Sequence, residues 1–282
     1  MARTPKARAL GAALRQAREE KGLVLRDLAT EINRDPGTLS RWETGDRTPK
    51  PEHVAQILTK LGVHGDRYDE IMTLAYRTDE SMWMATTLPE QRQQMTAYVD
   101  WEQNACRIVE VAPLLVPGIL QTSDYIRAIM TADAPPGEVA SRLTQRIGRR
   151  DVITRPWPAQ LLVLLGQNVL NQDVGGRQVT IAQIEHLLKM AKRPNIELRI
   201  MPNHVGWHPG LEGEFALIEA DRGGPRPASI VFVGNRRSLL MLHEAGDVDA
   251  YKRAIDRIMR ITLSPDVSAN YIADLGKRLE RA

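Results

Sequence analysis

The most constraining feature of this sequence is the spacing of its apolar residues between Leu10 and Tyr76. Apolar residues recur there every three or four positions, which predicts helices, and turn-forming residues separate five such blocks. Five helices in fewer than eighty residues predict a small all-α domain, which we place at residues 1–80. The blocks are Leu10, Ala13, Leu14, Ala17; Leu25, Leu28, Ala29, Ile32; Leu39, Trp42; Val54, Ile57, Leu58, Leu61; and Tyr68, Ile71, Met72, Ala75.

The connection between the second and third blocks predicts a tight turn between two helices. Ala29 is small where two helices must approach closely, and Asn33 is able to adopt the left-handed backbone conformation that such a turn requires. Asp35 is a suitable N-cap and Pro36 suits the first helical position. Gly45 then ends the helix after about eight residues, or roughly 12 Å.

A helix this short fits the major groove of B-DNA, which is about 12 Å wide. Leu39 and Trp42 are predicted to point inward. The predicted exposed face carries Gly37, Thr38, Ser40, Arg41 and Thr44. A short helix also occurs in helical bundles that bind no DNA, but the small residue, the Asn turn, the Asp-Pro start and the five-helix rhythm occur here together. We therefore predict DNA binding by this domain.

Two sets of DNA contacts follow from this interpretation. The residues predicted to face base edges are Gly37, Thr38, Ser40 and Arg41. Those predicted to hold phosphates are Arg26, Arg34, Thr44, Arg47 and Lys50. Because one such unit contacts too little DNA for regulatory affinity, we expect a homodimer on two half-sites about ten base pairs apart.

The distribution of charge agrees with a polyanionic partner. Residues 1–50 hold eleven Lys and Arg against seven Asp and Glu, a net charge of +4, although the whole chain carries only +3. The remainder of the chain therefore sums to −1. Positive charge gathered on one small domain is typical of nucleic-acid binding, but a charge of four is weak evidence alone.

The rest of the chain predicts a second, mixed domain over residues 88–282, with the boundary between Asp79 and Thr87. Helices and strands group in runs instead of alternating strictly, which favours an α+β fold over a doubly wound sheet. The predicted helices are 89–108, one beginning in "TSDYIRAIM" with Thr122 as its cap, 136–153, 178–193, 246–262 and 266–280. The predicted strands are 159–166, 196–202, 213–220, 228–234 and 238–244.

Composition is that of a water-soluble globular protein, with 43% hydrophobic and 26% charged residues. No apolar run approaches the roughly 20 residues of a membrane span, and no signal peptide is apparent. The lone cysteine, Cys106, has no partner for an intrachain disulfide, and we expect it to be a buried thiol on a helix. These features predict a cytoplasmic protein.

No stretch of the sequence predicts catalysis. "HVGWHPGLEGE" offers His204, His208, Glu212 and Glu214 as metal ligands by residue type, but its glycines and proline exclude the helix that His-x-x-x-His spacing needs. We interpret it as a loop between strands. No phosphate loop, dinucleotide fingerprint or G-x-S-x-G motif is present, and we expect no cofactor and no metal.

The stretches "LGAALRQAREEKGLVLRDLA" and "DPGTLSRWETGDRTPK" resemble the Xre-type, lambda-repressor-like helix-turn-helix regulators. This resemblance implies that Pro36–Glu43 is the recognition helix, that the helix Leu25–Ile32 crosses the DNA backbone, and that Glu43 has a structural role. Such proteins often begin the second helix with Ser or Thr followed by Gln. Val24 and Leu25 stand there in this chain, so a helix cap and one polar DNA contact are expected to be missing.

The second half resembles the large C-terminal domain of unknown function of many actinobacterial Xre-type regulators, some described as WhiJ-like or antitoxin-like. The resemblance lies in "YVDWEQNACRIVEVAPLLVPGILQTSDYIRAIM", "RPNIELRIMP", "HPGLEGEFALIE" and "SPDVSANYIADL". It implies a transcriptional regulator, often encoded beside a small partner protein that docks on this domain.

Three hypotheses remain open from the sequence. The first is a DNA-binding regulator whose second domain senses a small partner protein or a ligand. The second is an antitoxin-like interaction protein that mainly holds a small co-encoded partner. The third, an enzyme with a DNA-targeting domain, requires a convergent polar site that the sequence does not show.

Overall fold

The computed structural model describes residues 4–76, 82–84, 88–131, 139–221, 228–234 and 239–281. The chain divides into two compact units, Met1–Asp100 with Gly234–Glu244 and Trp101–Val233 with Ala245–Ala282. Of the boundary predicted between Asp79 and Thr87, only residues 82–84 are described, and the rest lies outside the described residues.

The first unit begins with the five predicted helices. They are α1 (Pro5–Glu20), α2 (Leu25–Glu31), α3 (Pro36–Glu43), α4 (Pro51–Leu61) and α5 (Asp66–Ala75). The short strand β1 (Met82–Met84) and helix α6 (Leu88–Gln103) follow. The apolar stripes of the five helices meet in one core, in which Leu10, Leu28, Leu39 and Ile57 are fully buried. The five helices predicted from the spacing of apolar residues are therefore confirmed.

The second unit contains most of the remaining elements. In chain order they are β2 (Ala105–Ala112), α7 (Ser123–Thr131), α8 (Val139–Gly148), α9 (Asp151–Thr154), β3 (Gln160–Gly166), α10 (Arg177–Ala191), β4 (Ile196–Met201), β5 (Phe215–Ala220), β6 (Ala228–Gly234), β7 (Leu239–Leu242), α11 (Ala245–Met259) and α12 (Pro265–Arg281). Of these, β7 belongs to the first unit, where it pairs antiparallel with β1.

The sheet of the second unit is mixed, with strands in the order β6-β5-β2-β3-β4. Strands β2, β3 and β4 are parallel, while β5 runs antiparallel to β2 and β6 antiparallel to β5. Helices α7 to α9 connect β2 to β3, and α10 connects β3 to β4. The α+β class is confirmed, and the three parallel strands place their carboxyl ends at one edge of the sheet.

Helix α12 is attached to the last parallel strand by side-chain and backbone hydrogen bonds. The buried hydroxyl of Ser268 accepts a hydrogen bond from the Ile200 backbone N–H at 3.0 Å. The Leu263 N–H donates to the Ile200 carbonyl at 2.9 Å. Both backbone polar groups of Ile200 therefore have partners, one in α12 and one in the segment just before it, and these bonds hold α12 against β4.

The prediction of one helix from 89 to 108 was wrong. The helix ends at Gln103, and Ala105–Ala112 is the central strand β2, paired with β3 on one side and β5 on the other. Its burial does not alternate, because Ile108 and Val109 are adjacent and both buried, so period-two alternation gave no signal.

The placement of Cys106 was consequently wrong as well. Cys106 lies on β2, not on a helix, and its side chain is exposed instead of buried. Its thiol donates a hydrogen bond to the Glu219 carbonyl of the neighbouring strand at 3.2 Å. A residue at the bulge between Ala105 and Arg107 does not follow the burial of the strand around it.

The helix predicted over 136–153 is two helices, α8 and α9, separated by Arg149 and Arg150. Its predicted start lies outside the described residues. The helices predicted over 178–193, 246–262 and 266–280 correspond to α10, α11 and α12, and the predicted cap at Thr122 accepts a hydrogen bond from the Tyr125 N–H. All five predicted strands are present.

Candidate nucleic-acid interface

The turn between α2 and α3 has the predicted backbone conformation. Asn33 has a φ of 53° and is the one residue other than glycine with positive φ among those described. The Arg34 N–H donates to the Ala29 carbonyl at 2.8 Å, and Ala29 is completely buried. The left-handed Asn33 therefore reverses the chain within a few residues and brings α3 against α2.

Asp35 caps the amino end of α3. Its Oδ1 accepts from the Thr38 backbone N–H at 2.8 Å, and its Oδ2 accepts from the Thr38 hydroxyl at 2.5 Å. These hydrogen bonds lower the pKa of the Asp35 carboxyl group. The bond from the Thr38 hydroxyl has the larger effect and the bond from the Thr38 N–H the smaller. Pro36 occupies the first turn, where no backbone donor is needed. Residues next to one another in sequence therefore determine where α3 begins.

The carboxyl end of α3 packs closely against α1. Gly45 follows the C-cap Thr44 and has a φ of 70°. A Cβ on Gly11 of α1 would lie 2.5 Å from the Trp42 carbonyl oxygen, and one on Gly45 would lie 2.8 Å from Arg8 Cα. Only glycine allows this approach. The backbone of α1 therefore packs directly against the backbone at the end of α3 and supports this helix.

A buried ion pair completes this support. Glu43, the last residue of α3, accepts hydrogen bonds from Nε and Nη2 of Arg18 at 2.7 and 2.8 Å. The two side chains are only 5% and 9% exposed, and Arg18 also donates to the Leu23 carbonyl. These bonds to Glu43 raise the pKa of Arg18. The structural role that the resemblance implied for Glu43 is that of a partner for Arg18, which sequence reasoning did not single out.

The face of α3 opposite this support is open to solvent. Gly37, Arg41 and Thr44 are exposed at positions i, i+4 and i+7, which lie on one side of a helix. Thr38 and Ser40 are half-buried at its edges. The hydroxyl of Thr38 already bonds Asp35 and accepts from Arg41 Nη2 at 3.2 Å, so Thr38 also positions the Arg41 guanidinium.

The residues predicted to hold phosphates are all exposed: Arg26, Arg34, Thr44, Arg47 and Lys50. They occupy α2, the turn before α3, and the loop from α3 to the start of α4.

Local contacts order several of these groups. Arg34 Nη2 lies 2.7 Å from His53 Nε2, and the His53 ring stacks on buried Trp42 with 5.3 Å between centroids. The Thr44 hydroxyl donates to Asp46 at 2.7 Å, and Lys50 lies 3.8 Å from Glu52. The sequence had not indicated that His53 of α4 links Arg34 to the helix core.

The start of α2 agrees with the expected departure from the Xre-type pattern. Val24 occupies the N-cap position without a side-chain hydrogen bond and is 60% exposed. Arg26 lies in the first turn of the same helix and is exposed.

Two protein-family models match successive parts of the chain. Residues 9–71 match the family model described as "Helix-turn-helix domain", which covers most of α1, all of α2 to α4 and the first part of α5. Residues 95–274 match the model described as "Domain of unknown function (DUF5753)". The chain belongs to the DUF5753 family. Its helix-turn-helix domain precedes the DUF5753 domain, which is consistent with the Xre-type resemblance.

Curated relatives match over a short stretch. The chain is 39% identical over 54 residues to multiprotein-bridging factor 1 of Debaryomyces hansenii, and 37% identical over 54 residues to the protein of that name in Candida albicans. Each match covers 19% of this chain and 36% of the relative, so the chain spans about a third of these relatives' length. No solved structure matches the chain.

In the DUF5753 domain, the "HVGWHPGLEGE" stretch is a loop with one short 3-10 turn, Pro209–Leu211. Gly206 and Gly213 have φ values of 76° and 141°, which a helix does not allow. His204 is exposed while His208 is buried. Within the part of the chain that the structure describes, no group of three His, Cys, Asp or Glu side chains is arranged to hold a metal ion. None of the described helices has the length and apolar character needed to span a bilayer.

Proposed function

We propose that this protein is a sequence-specific DNA-binding transcriptional regulator that inserts α3 into the major groove. One observation carries the proposal: α3 is held from behind by Gly11 and by the buried pair of Arg18 with Glu43, while Gly37, Arg41 and Thr44 are exposed on its opposite face. A rigid support behind a short polar helix is what groove insertion requires. The helix-turn-helix family match supports the same function.

The roles of individual residues follow from their positions. Arg41 donates hydrogen bonds to a base edge, and a hydrogen bond to the Thr38 hydroxyl positions its guanidinium. Gly37 lets the groove wall approach the start of α3, and Ser40 contacts a neighbouring base edge. Arg26, Arg34, Thr44, Arg47 and Lys50 contact phosphates on both sides of the groove.

The protein acts in the cytoplasm. It binds DNA as a homodimer on two half-sites, because a single helix of eight residues contacts too little DNA for regulatory affinity. Residues 1–80 form the DNA-binding domain and residues 88–282 the sensor domain. The sensor domain binds a small co-encoded protein or a small molecule and thereby favours one arrangement of the dimer. It has no catalytic role in this proposal.

A mobility-shift titration tests the DNA-binding function directly. The purified full chain is titrated against its own promoter region and against a random duplex of equal length, at two salt concentrations. We expect a preference of about a thousandfold for the promoter and a steep loss of affinity with salt. Weak and equal binding to both duplexes would contradict the proposal and would favour an interaction protein whose main role is to hold a partner.

A further inference from the structure

The carboxyl ends of the three parallel strands meet beside a cleft. Strand β2 ends at Ala112, β3 at Gly166 and β4 at Met201, and the segments that follow them line a space of about 470 Å³. In open sheets with parallel strands, ligands bind outside the carboxyl ends of the strands. The volume is within the roughly 300–1,000 Å³ of small-molecule sites.

Two glycines allow the walls of this cleft to close on each other. A Cβ on Gly166 would lie 2.6 Å from the Pro113 carbonyl oxygen, so β3 can meet the segment after β2 only without a side chain. A Cβ on Gly210 would lie 2.8 Å from Met201 Sδ. The first contact joins the end of β3 to the segment after β2, and the second holds the loop after β4 against the last residue of β4.

The polar groups in the wall are uncharged amides. Asn203 Nδ2 donates to Asn168 Oδ1 at 2.7 Å, and the Asn203 backbone N–H donates to Gln167 Oε1 at 2.9 Å. This arrangement leaves the amide nitrogen of Asn168 as a donor and the amide oxygen of Asn203 as an acceptor. Gln172 adds a third amide, and no Asp, Glu, Lys or Arg is among the residues that line the cleft.

His208 also lies in the wall of the cleft. Its side chain is 94% buried, and its Nδ1 has no hydrogen-bond partner among the described residues. Burial lowers the pKa of His208, so its ring is neutral near pH 7. The ring lies against Gly210, because a Cβ on Gly210 would lie 3.0 Å from His208 Nδ1, so His208 contributes a buried, neutral part of the wall.

Apolar side chains complete the cleft. Leu114 and Leu211 line it and are 62% and 60% exposed, so they offer apolar surface for a ligand to cover. Uncharged amides beside exposed leucines favour a ligand with one hydrogen-bonding edge and one apolar face.

We propose that this cleft binds an uncharged small molecule with adjacent hydrogen-bond donor and acceptor groups and an apolar face. A nucleoside base and a blocked amino-acid amide both have this chemistry. The inference rests on the proposed function, because it gives the chemical class of the sensor domain's ligand.

Isothermal titration calorimetry of the full chain, without DNA, tests the proposal. The probes are adenosine and N-acetyl-leucinamide, and their charged counterparts AMP and N-acetyl-leucine are the controls. We expect saturable binding of at least one neutral probe with a Kd below about 1 mM, and binding about tenfold weaker for its charged counterpart. The neutral probe that binds identifies the source of the ligand.

Variants place the binding in the cleft. Asn203→Ala and Leu211→Ser are each expected to weaken the binding of that probe about three- to tenfold. Val267→Ser replaces a similarly exposed apolar residue on α12, outside the cleft, and is expected to leave the Kd unchanged. Leu211 and Val267 are exposed, so both variants are expected to fold, and melting curves check this.

Three results would overturn the inference: no saturable binding of either neutral probe up to about 10 mM, equal binding of the charged counterparts, or wild-type affinity in both cleft variants. The DNA titration is separate. If the wild-type protein shows no preference for its promoter, only the proposal of a DNA-binding regulator is contradicted. If neither probe binds, only the proposal of a ligand site in the cleft is contradicted.

Discussion

Arg18 of α1 and Glu43 of α3 form a bidentate ion pair with N–O distances of 2.7 and 2.8 Å. The pair is buried on the side of α3 that is opposite its exposed face. The two residues are 25 positions apart in the chain. Because Glu43 is the last residue of α3, the pair orients the helix that we propose to enter the major groove.

Glu43→Ala leaves the Arg18 guanidinium buried without its carboxylate. We expect the free energy of unfolding to fall by about 3 kcal/mol, because an uncompensated buried charge is strongly destabilising. Urea denaturation followed by circular dichroism measures the loss. Asp274→Ala is the control, since Asp274 is 72% exposed and pairs with the exposed Lys277 at 3.6 Å, and that variant is expected to match the wild type. Equal effects of the two variants would show that burial of the pair does not contribute to stability.

Gly11→Ala places a Cβ within 2.5 Å of the Trp42 carbonyl oxygen. The backbones of α1 and α3 must then separate, and we expect a loss of about 1–3 kcal/mol together with weaker DNA binding. Thermal unfolding and the promoter titration measure the two effects. Gly246→Ala has nothing within 4 Å of the added Cβ and is the matched control. A Gly11→Ala protein as stable as that control would mean that the close approach is not needed.

Asp35 predicts a stability change at acid pH. Its hydrogen bonds from Thr38 lower its pKa in the folded state. The carboxylate therefore contributes to stability above its unfolded pKa of about 3.9, and the contribution is lost as the pH falls through the lower folded pKa. Asp35→Asn keeps a capping oxygen but does not titrate, so its melting temperature is expected to fall less between pH 5 and pH 2 than that of the wild type. Parallel curves for the two proteins would remove Asp35 as a source of the acid sensitivity.

Arg41→Ala and Lys50→Ala separate base reading from phosphate binding. Arg41→Ala is expected to cost about 1–3 kcal/mol of binding free energy on the promoter and to relax preference at one base position. Lys50→Ala is expected to weaken binding to all duplexes alike and to lower the salt slope by about one. Mobility-shift titrations on promoter, single-base variants and random duplex measure both, with exposed Lys60→Ala as the control. Equal losses on promoter and random DNA for Arg41→Ala would exclude base reading by Arg41.

Local chemistry accounts for what the sequence predicted well. The ends of α3 are set by a capping carboxylate at Asp35, a proline at the first position and a glycine with positive φ at Gly45, and each acts within four residues of itself. Asn33 has the backbone conformation predicted for it for the same reason. Gly37, Arg41 and Thr44 on the exposed face of α3 could therefore be listed from the sequence, although contacts of this helix with DNA stay a prediction.

Only tertiary structure decided the remaining features. Ala105–Ala112 is a strand because β3 and β5 pair with its two edges, and its burial follows no local period. Arg18 meets Glu43 because α1 packs on α3, and Gly166 meets Pro113 because the ends of neighbouring parallel strands converge. Residue types and short-range periodicity determined the first five helices and the turn before α3. The buried ion pair and the cleft depend on residues that are distant in sequence, so their formation required the packed chain.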